Sequence, residues 1–97
     1  MSKKGKRYFL RLYITGTRPQ SNRAIANIRA VCEEHLSGQY RLEVVDLYQQ
    51  PQRAAQAQVI AAPTLIKEQP APLRRMVGDL SDRQRLLAGL NLEARHP

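Results

Sequence analysis

Ninety-seven residues, carrying 16 Lys and Arg against 8 Asp and Glu for a formal net charge of +8, make one small basic chain. No run of about 18 apolar residues is present, which excludes a helical membrane span. One cysteine and two isolated histidines exclude a zinc or iron–sulfur spacing.

Four of the cations, Lys3, Lys4, Lys6 and Arg7, lie at the amino terminus, so residues 1–7 read as a flexible basic arm. Such charge attracts acidic proteins, nucleic acid or anionic lipid alike. Tyr8-Phe9-Leu10 passes at once into Arg11, which breaks a signal-peptide core. The single unpaired cysteine fits a reducing compartment, so a cytoplasmic location is expected.

Tyr8 to Ile14 is predicted to be a largely buried strand, with Leu10, Leu12 and Ile14 on one face and Phe9 and Tyr13 on the other. Thr15-Gly16 ends it. Ser21 is expected to cap a helix that carries Ala24, Ile25, Ile28, Val31, Cys32 and Leu36 on its apolar stripe. Arg23, Arg29, Glu33 and Glu34 then face water, and Gly38 supplies a left-handed cap. Leu42–Leu47 is the second strand, favoured by the β-branched Val44 and Val45. Strand, helix and strand with this crossover length imply a right-handed parallel βαβ unit.

Beyond Gln50 the pattern is weaker. Pro51 can open a short helix over 52–58, supported by Ala54, Ala55 and Ala57. Val59-Ile60-Ala61-Ala62 fits helix or strand. Pro63 is expected to be cis and to lead into a strand at Thr64–Ile66. Pro70-Ala71-Pro72 forces a turn. Leu73–Val77 is predicted to pair antiparallel, closed by Gly78-Asp79. Ser81 with Gln84 has capping-box form ahead of Leu86, Leu87 and Leu90. The order is βαβαββα, a thioredoxin-like layout. Gly89 in the last helix costs about 1 kcal/mol relative to alanine, and local sequence does little to oppose another arrangement after Gln50.

Thioredoxin-type chemistry needs two thiols, one to attack and one to resolve the mixed disulfide. The first loop, Thr15 to Ser21, holds none. Cys32 falls on the apolar stripe and reads as a buried small hydrophobe. No Gly-rich phosphate loop, paired-carboxylate site or Ser-His-acid set is present. No catalytic residue, cofactor or metal ligand is therefore assigned, and a binding role leads. Arg74 and Arg75 beside Met76 offer planar forks for carboxylates or phosphates. One solvated arginine and one cross-strand ion pair explain them equally well. A thiol-dependent redox protein using Cys32 and a basic nucleic-acid accessory protein stand as alternatives. The absence of tryptophan and the single Phe weaken a stacking surface for nucleic acid.

Several ordered runs carry a family resemblance. They are Leu10-Arg11-Leu12-Tyr13-Ile14-Thr15-Gly16, Pro19-x-Ser21-x-Arg23-Ala24, Val45-Asp46-Leu47 with Pro51-Gln52, and Ala62-Pro63-Thr64-Leu65. The strongest is Pro70-x-Pro72-Leu73-Arg74-Arg75-Met76-Val77-Gly78-Asp79-Leu80-Ser81-Asp82-Arg83, followed by Leu87-x-Gly89-Leu90. Together they span nearly all of Tyr8 to Leu92, and the chain resembles the KaiB family of circadian clock proteins.

That resemblance implies a non-enzymatic, metamorphic protein in a single unit over residues 8–92, with a short tail at 93–97. Residues 8–50 would form a common βαβ half and 51–92 a fold-switching half. The thioredoxin-like βαβαββα order would be the partner-binding state, and βαββααβ the resting fold in a homotetramer or dimer. The implied partner is a KaiC-family ATPase, in circadian timing or stress adaptation, with KaiA and SasA-like or CikA-like histidine kinases as further partners. Neither membrane nor specific nucleic acid is implied. The resemblance puts Gln56 and Gln58 on the partner-facing helix, where an acidic residue and a lysine are usual. It makes Gly89 the glycine that resists helix, and Asn91 stands where the family usually has Asp. Pro63, Arg74 and Arg75 complete the candidate set.

Overall fold

The computed structural model describes residues 7–92 and contains seven elements: β1 (Tyr8–Ile14), α1 (Pro19–His35), β2 (Tyr40–Asp46), α2 (Gln52–Ala57), β3 (Thr64–Gln69), β4 (Arg74–Val77) and α3 (Arg83–Gly89). The expected arm falls outside the described residues except for Arg7, and the tail at 93–97 lies wholly outside them. The strands form one sheet in the order β2-β1-β3-β4. β1 pairs parallel with β2 and antiparallel with β3, and β3 pairs antiparallel with β4.

β1 is central because both its faces are apolar. Leu10, Leu12 and Ile14 join Ala24, Ile28, Val31, Cys32 and Leu36 of the α1 segment, together with Leu65, Met76, Leu86 and Leu90, in the larger core. Tyr13 faces the other way and packs with Val45 and Ile66 beneath Leu47, Ala57 and Val59. Helices α1 and α3 thus cover one face of the sheet, and the short α2 covers part of the other.

The helix termini depart from expectation. Arg18, not Ser21, stands at the N-cap of α1, with an extended backbone (φ −69, ψ 154) and no side-chain cap. Pro19 explains this: proline presses the residue before it into extended geometry and itself suits the first helical position. Ser21 is buried inside the first turn. At α3, Asp82 takes the cap expected of Ser81, its carboxylate accepting from Arg85 N–H at 3.1 Å. The capping box with Gln84 does not form. Instead the Asp79 carboxylate accepts from Ser81 N–H at 3.0 Å and turns the chain one residue earlier. Gly38 takes the left-handed backbone (φ +76) foreseen for it.

The segment from Val59 to Ala62 is neither helix nor strand, and β4 begins at Arg74, leaving Leu73 outside it. Ala62–Pro63 is cis, as expected for this order of elements, and Gln69–Pro70 and Ala71–Pro72 are cis as well. No helix among the described residues is long and apolar enough to cross a membrane.

Four side-chain contacts fasten the segment from Asp79 to Leu90 to α1 and β1. Asn27 donates its side-chain N–H to the Asp79 carbonyl at 2.8 Å, and Arg23 pairs with the Asp79 carboxylate at 3.3 Å. Arg83 pairs with Glu34. Tyr8 donates its hydroxyl to the Leu90 carbonyl at 2.8 Å.

Candidate interaction site

Helix α2 has no buried residue, so its outer side is open along its length. Gln56 lies on that side. Gln58 does not lie on the helix face: it closes the helix in the left-handed conformation (φ 56, ψ 43). Its own N–H reaches Ala55 O at 3.2 Å, and the next N–H, of Val59, reaches Ala54 O at 2.8 Å, which satisfies two free carbonyls.

Arg75 holds the same helix end. Its guanidinium donates to Ala57 O at 2.6 Å and Gln58 O at 3.2 Å, a favourable place for a cation because helix carbonyls are unpaired there. Neither a fully solvated arginine nor a cross-strand ion pair describes it. Gln56, Gln58 and Arg75 therefore meet around a shallow groove of about 200 Å³ floored by Ile66. Arg74, next in the strand, is exposed and alternates to the opposite face.

Pro63 is buried at the entry to β3, and its carbonyl accepts from Gly78 N–H at 2.9 Å. Gly89 and Asn91 lie elsewhere, at the end of α3 under the other face of the sheet. Gly89 is the last helical residue, and a Cβ there would stand 2.5 Å from the Met76 Sδ and 2.8 Å from its Cε. Asn91 takes the left-handed conformation (φ 60). Its N–H bonds Ala88 O at 3.0 Å and that of Leu92 bonds Leu87 O at 2.7 Å, a Schellman closure. The candidates thus split into a groove set and a helix-end pair.

Two features escaped the sequence reading. Ile60 is 99% exposed, just past the left-handed Gln58. The signal was present in the apolar run that fitted no single element. The Phe9 ring meets two guanidinium groups, Arg11 of its own strand at 4.6 Å and Arg41 of the neighbouring β2 at 5.4 Å, a cation–π arrangement. Their pairing register was not visible in the linear sequence.

The ion pairs of the central strand bind the sheet together. Arg11 bonds Glu43 at 2.7 Å and Glu68 at 3.1 Å. The Arg11 hydrogen bond holds the Glu43 carboxyl below its usual range. Cys32 is buried, and desolvation pushes its thiol up to about 12. It stays protonated near neutrality and offers no thiolate for the redox alternative.

A four-stranded thioredoxin-like sheet whose first loop lacks thiols defines the class: a thioredoxin-fold protein without the dithiol. Two solved structures support the fold. The amino-terminal domain of SasA from Synechococcus elongatus superposes with a TM-score of 0.72 at 21% identity, covering all of this chain and 95% of that one. Chloroplastic thioredoxin z superposes with a TM-score of 0.74 at 16% identity, covering 93% and 81%. The KaiB domain model matches residues 11–92. Circadian clock protein KaiB3 of Synechocystis is 48% identical over 86 residues, covering 89% of this chain and 84% of that protein. The chain belongs to the KaiB family, and its role is clock-related in that sense.

Proposed function

We propose that this protein is a non-enzymatic adapter that, in the thioredoxin-like arrangement, docks on a KaiC-family ATPase and modulates its phosphorylation state or signalling. The observation that carries the proposal is the solvent-facing α2: a helix without a buried residue, held at its end by Arg75 and flanked by the fully exposed Ile60. Gln56 and Gln58 would meet the ATPase there. Residues 8–50 act as the platform, and 51–92 exchange this packing for the resting βαββααβ order in a homotetramer or dimer. KaiA and SasA-like or CikA-like histidine kinases, in the cytoplasm, are the further partners. When only a fraction of molecules is competent, apparent affinity falls by that fraction. Two packings separated by a few kcal/mol suffice for such exchange.

Mixing the full chain with the KaiC-like ATPase of its own genome and ATP, and weighing the product by light scattering, tests this. A complex is expected to build up slowly, and its absence after prolonged incubation overturns the proposal. The double variant Gln56→Glu with Gln58→Lys, which restores the family's usual charges, is expected to tighten binding to a cyanobacterial KaiC ring.

A further inference from the structure

We propose that the open edge of the sheet at β4 is a docking strand, to which an extended acidic segment of a partner protein adds as a fifth strand. Among the described residues, β4 ends the order β2-β1-β3-β4, so one side of its backbone has no neighbouring strand. Gly78 N–H donates to Pro63 O, which makes that position a hydrogen-bonded pair of the antiparallel ladder. Bonded and open pairs alternate along such a ladder. Met76 opposite Leu65 and Arg74 opposite Lys67 therefore bond inward. Arg75 and Val77 turn their N–H and C=O groups to the open side. The edge offers two donors and two acceptors, two residues apart.

The side chains select the occupant. Leu73, Arg75 and Val77 alternate onto the face that α2 partly covers, and Leu73 is 55% and Val77 57% exposed. Arg75 spends two nitrogens on the α2 carbonyls, and a guanidinium has five N–H donors, which leaves others for an incoming carboxylate. An arriving strand meets apolar, cationic, apolar. Its complement is an apolar residue, an acidic residue and an apolar residue at alternate positions. The exposed Arg74 adds a second cation on the opposite face.

A second copy of this chain is the wrong occupant. Self-pairing would bring together strands in which two of the four residues are arginine. Like charges across a strand pair destabilise it, and cations on edge strands are a device by which sheets avoid their own copies. This edge exists in the thioredoxin-like arrangement, on which the proposed function also rests, and it shares Arg75 with the α2 groove.

The probe is an acetylated, amidated Thr-Val-Thr-Glu-Thr-Val-Thr peptide, whose palindromic order presents the same face in either strand direction. Titrated into the 15N-labelled full chain, it is expected to shift the Arg75 and Val77 amides saturably and to slow their hydrogen exchange. The same peptide with Lys in place of Glu is expected to bind about tenfold more weakly, and N-methylation of the central residue to abolish binding. Arg75→Glu is expected to reverse the preference between the two peptides. Val77→Pro removes one outward N–H at an edge position where proline is tolerated, and is expected to abolish binding with the other amide resonances in place. No saturable shift at β4, equal binding of the two charge forms, or shifts that follow protein concentration without peptide would each overturn the proposal.

Discussion

The run from β1 to β2 and the run from α2 to α3 use chains of similar length very differently. In the first, two seven-residue strands pair in unbroken parallel register under a 17-residue helix. Its positive φ angles fall only on Gly16 and Gly38, where they carry no Cβ penalty. In the second, the elements have six, six, four and seven residues. Gln58, Leu80 and Asn91 hold φ angles of 56, 62 and 60. Side-chain-bearing residues there cost about 1 kcal/mol or more each. Ile60, Leu73 and Val77, three of the four large exposed apolar residues among the described residues, lie in the same stretch. Strain and unburied apolar surface collect where the elements are shortest, so a change of packing sacrifices least there.

The contrast can be broken or sharpened experimentally. The largest effect is expected from Leu12→Ala, because Leu12 is fully buried on the central strand beneath α1. A loss of about 3 kcal/mol in denaturant unfolding is expected, felt by amides of both halves in native-state hydrogen exchange. If exchange in α3 is unaffected, the shared core does not couple the halves.

Next in size are Gln58→Gly and Asn91→Gly. Each relieves a left-handed strain and is expected to stabilise the thioredoxin-like arrangement by about 1 kcal/mol. The gain should be confined to exchange protection after Gln50. Equal protection gained in α1 would show that the second half has no stability of its own to adjust.

Smallest is the pH dependence. Hydrogen bonding holds the Glu43, Glu34 and Asp79 carboxyls low, through Arg11, Arg83 and Ser81 respectively. Because their folded pKa values lie below the unfolded ones, their contribution is present above the usual carboxylate range and lost as pH falls from that range through the lowered folded values. Tyr40 has the opposite sign. Its hydroxyl donates to Glu33, which pushes it up to about 12, so its contribution is complete below about 10 and lost as pH rises through about 12. A thermal melt series across pH should show a modest acid decline. Glu34→Gln and Asp79→Asn should flatten it more in α3 than in α1. A decline that both variants leave unaltered would separate acid sensitivity from these pairs.

The βαβ run was legible because its signals agree: alternation and β-branching in the strands, a helical stripe from Ala24 to Leu36, and Gly38 at the stop. The βαβαββα order was also legible, down to the cis bond before Pro63. The caps were misread because Pro19 acts on Arg18 before it and Asp79 on Ser81 two residues after it, and a nearby proline or Asx turn outweighs a serine in cap position. Gln56, Gln58 and Arg75 were each singled out, but their meeting was not visible. It depends on β4 lying beside α2, a contact across 18 residues from Arg75 to Ala57. Residues 59–62 looked undecided in sequence because no helix or strand claims them in the fold: Val59 packs against the smaller core, while Ile60 stands in solvent.

The four side-chain fastenings between the Asp79–Leu90 segment and α1 and β1 are unlike in kind. Two are ionic and exposed, Arg23 with Asp79 and Arg83 with Glu34, and two are neutral, Asn27 to Asp79 and Tyr8 to Leu90. Dissolved salt screens the first two over about 10 Å at 0.1 M and leaves the neutral pair nearly untouched. Ionic strength therefore works on this molecule as a partial latch. It loosens one pair of clasps while the other holds the Asp79–Leu90 segment against α1 and β1.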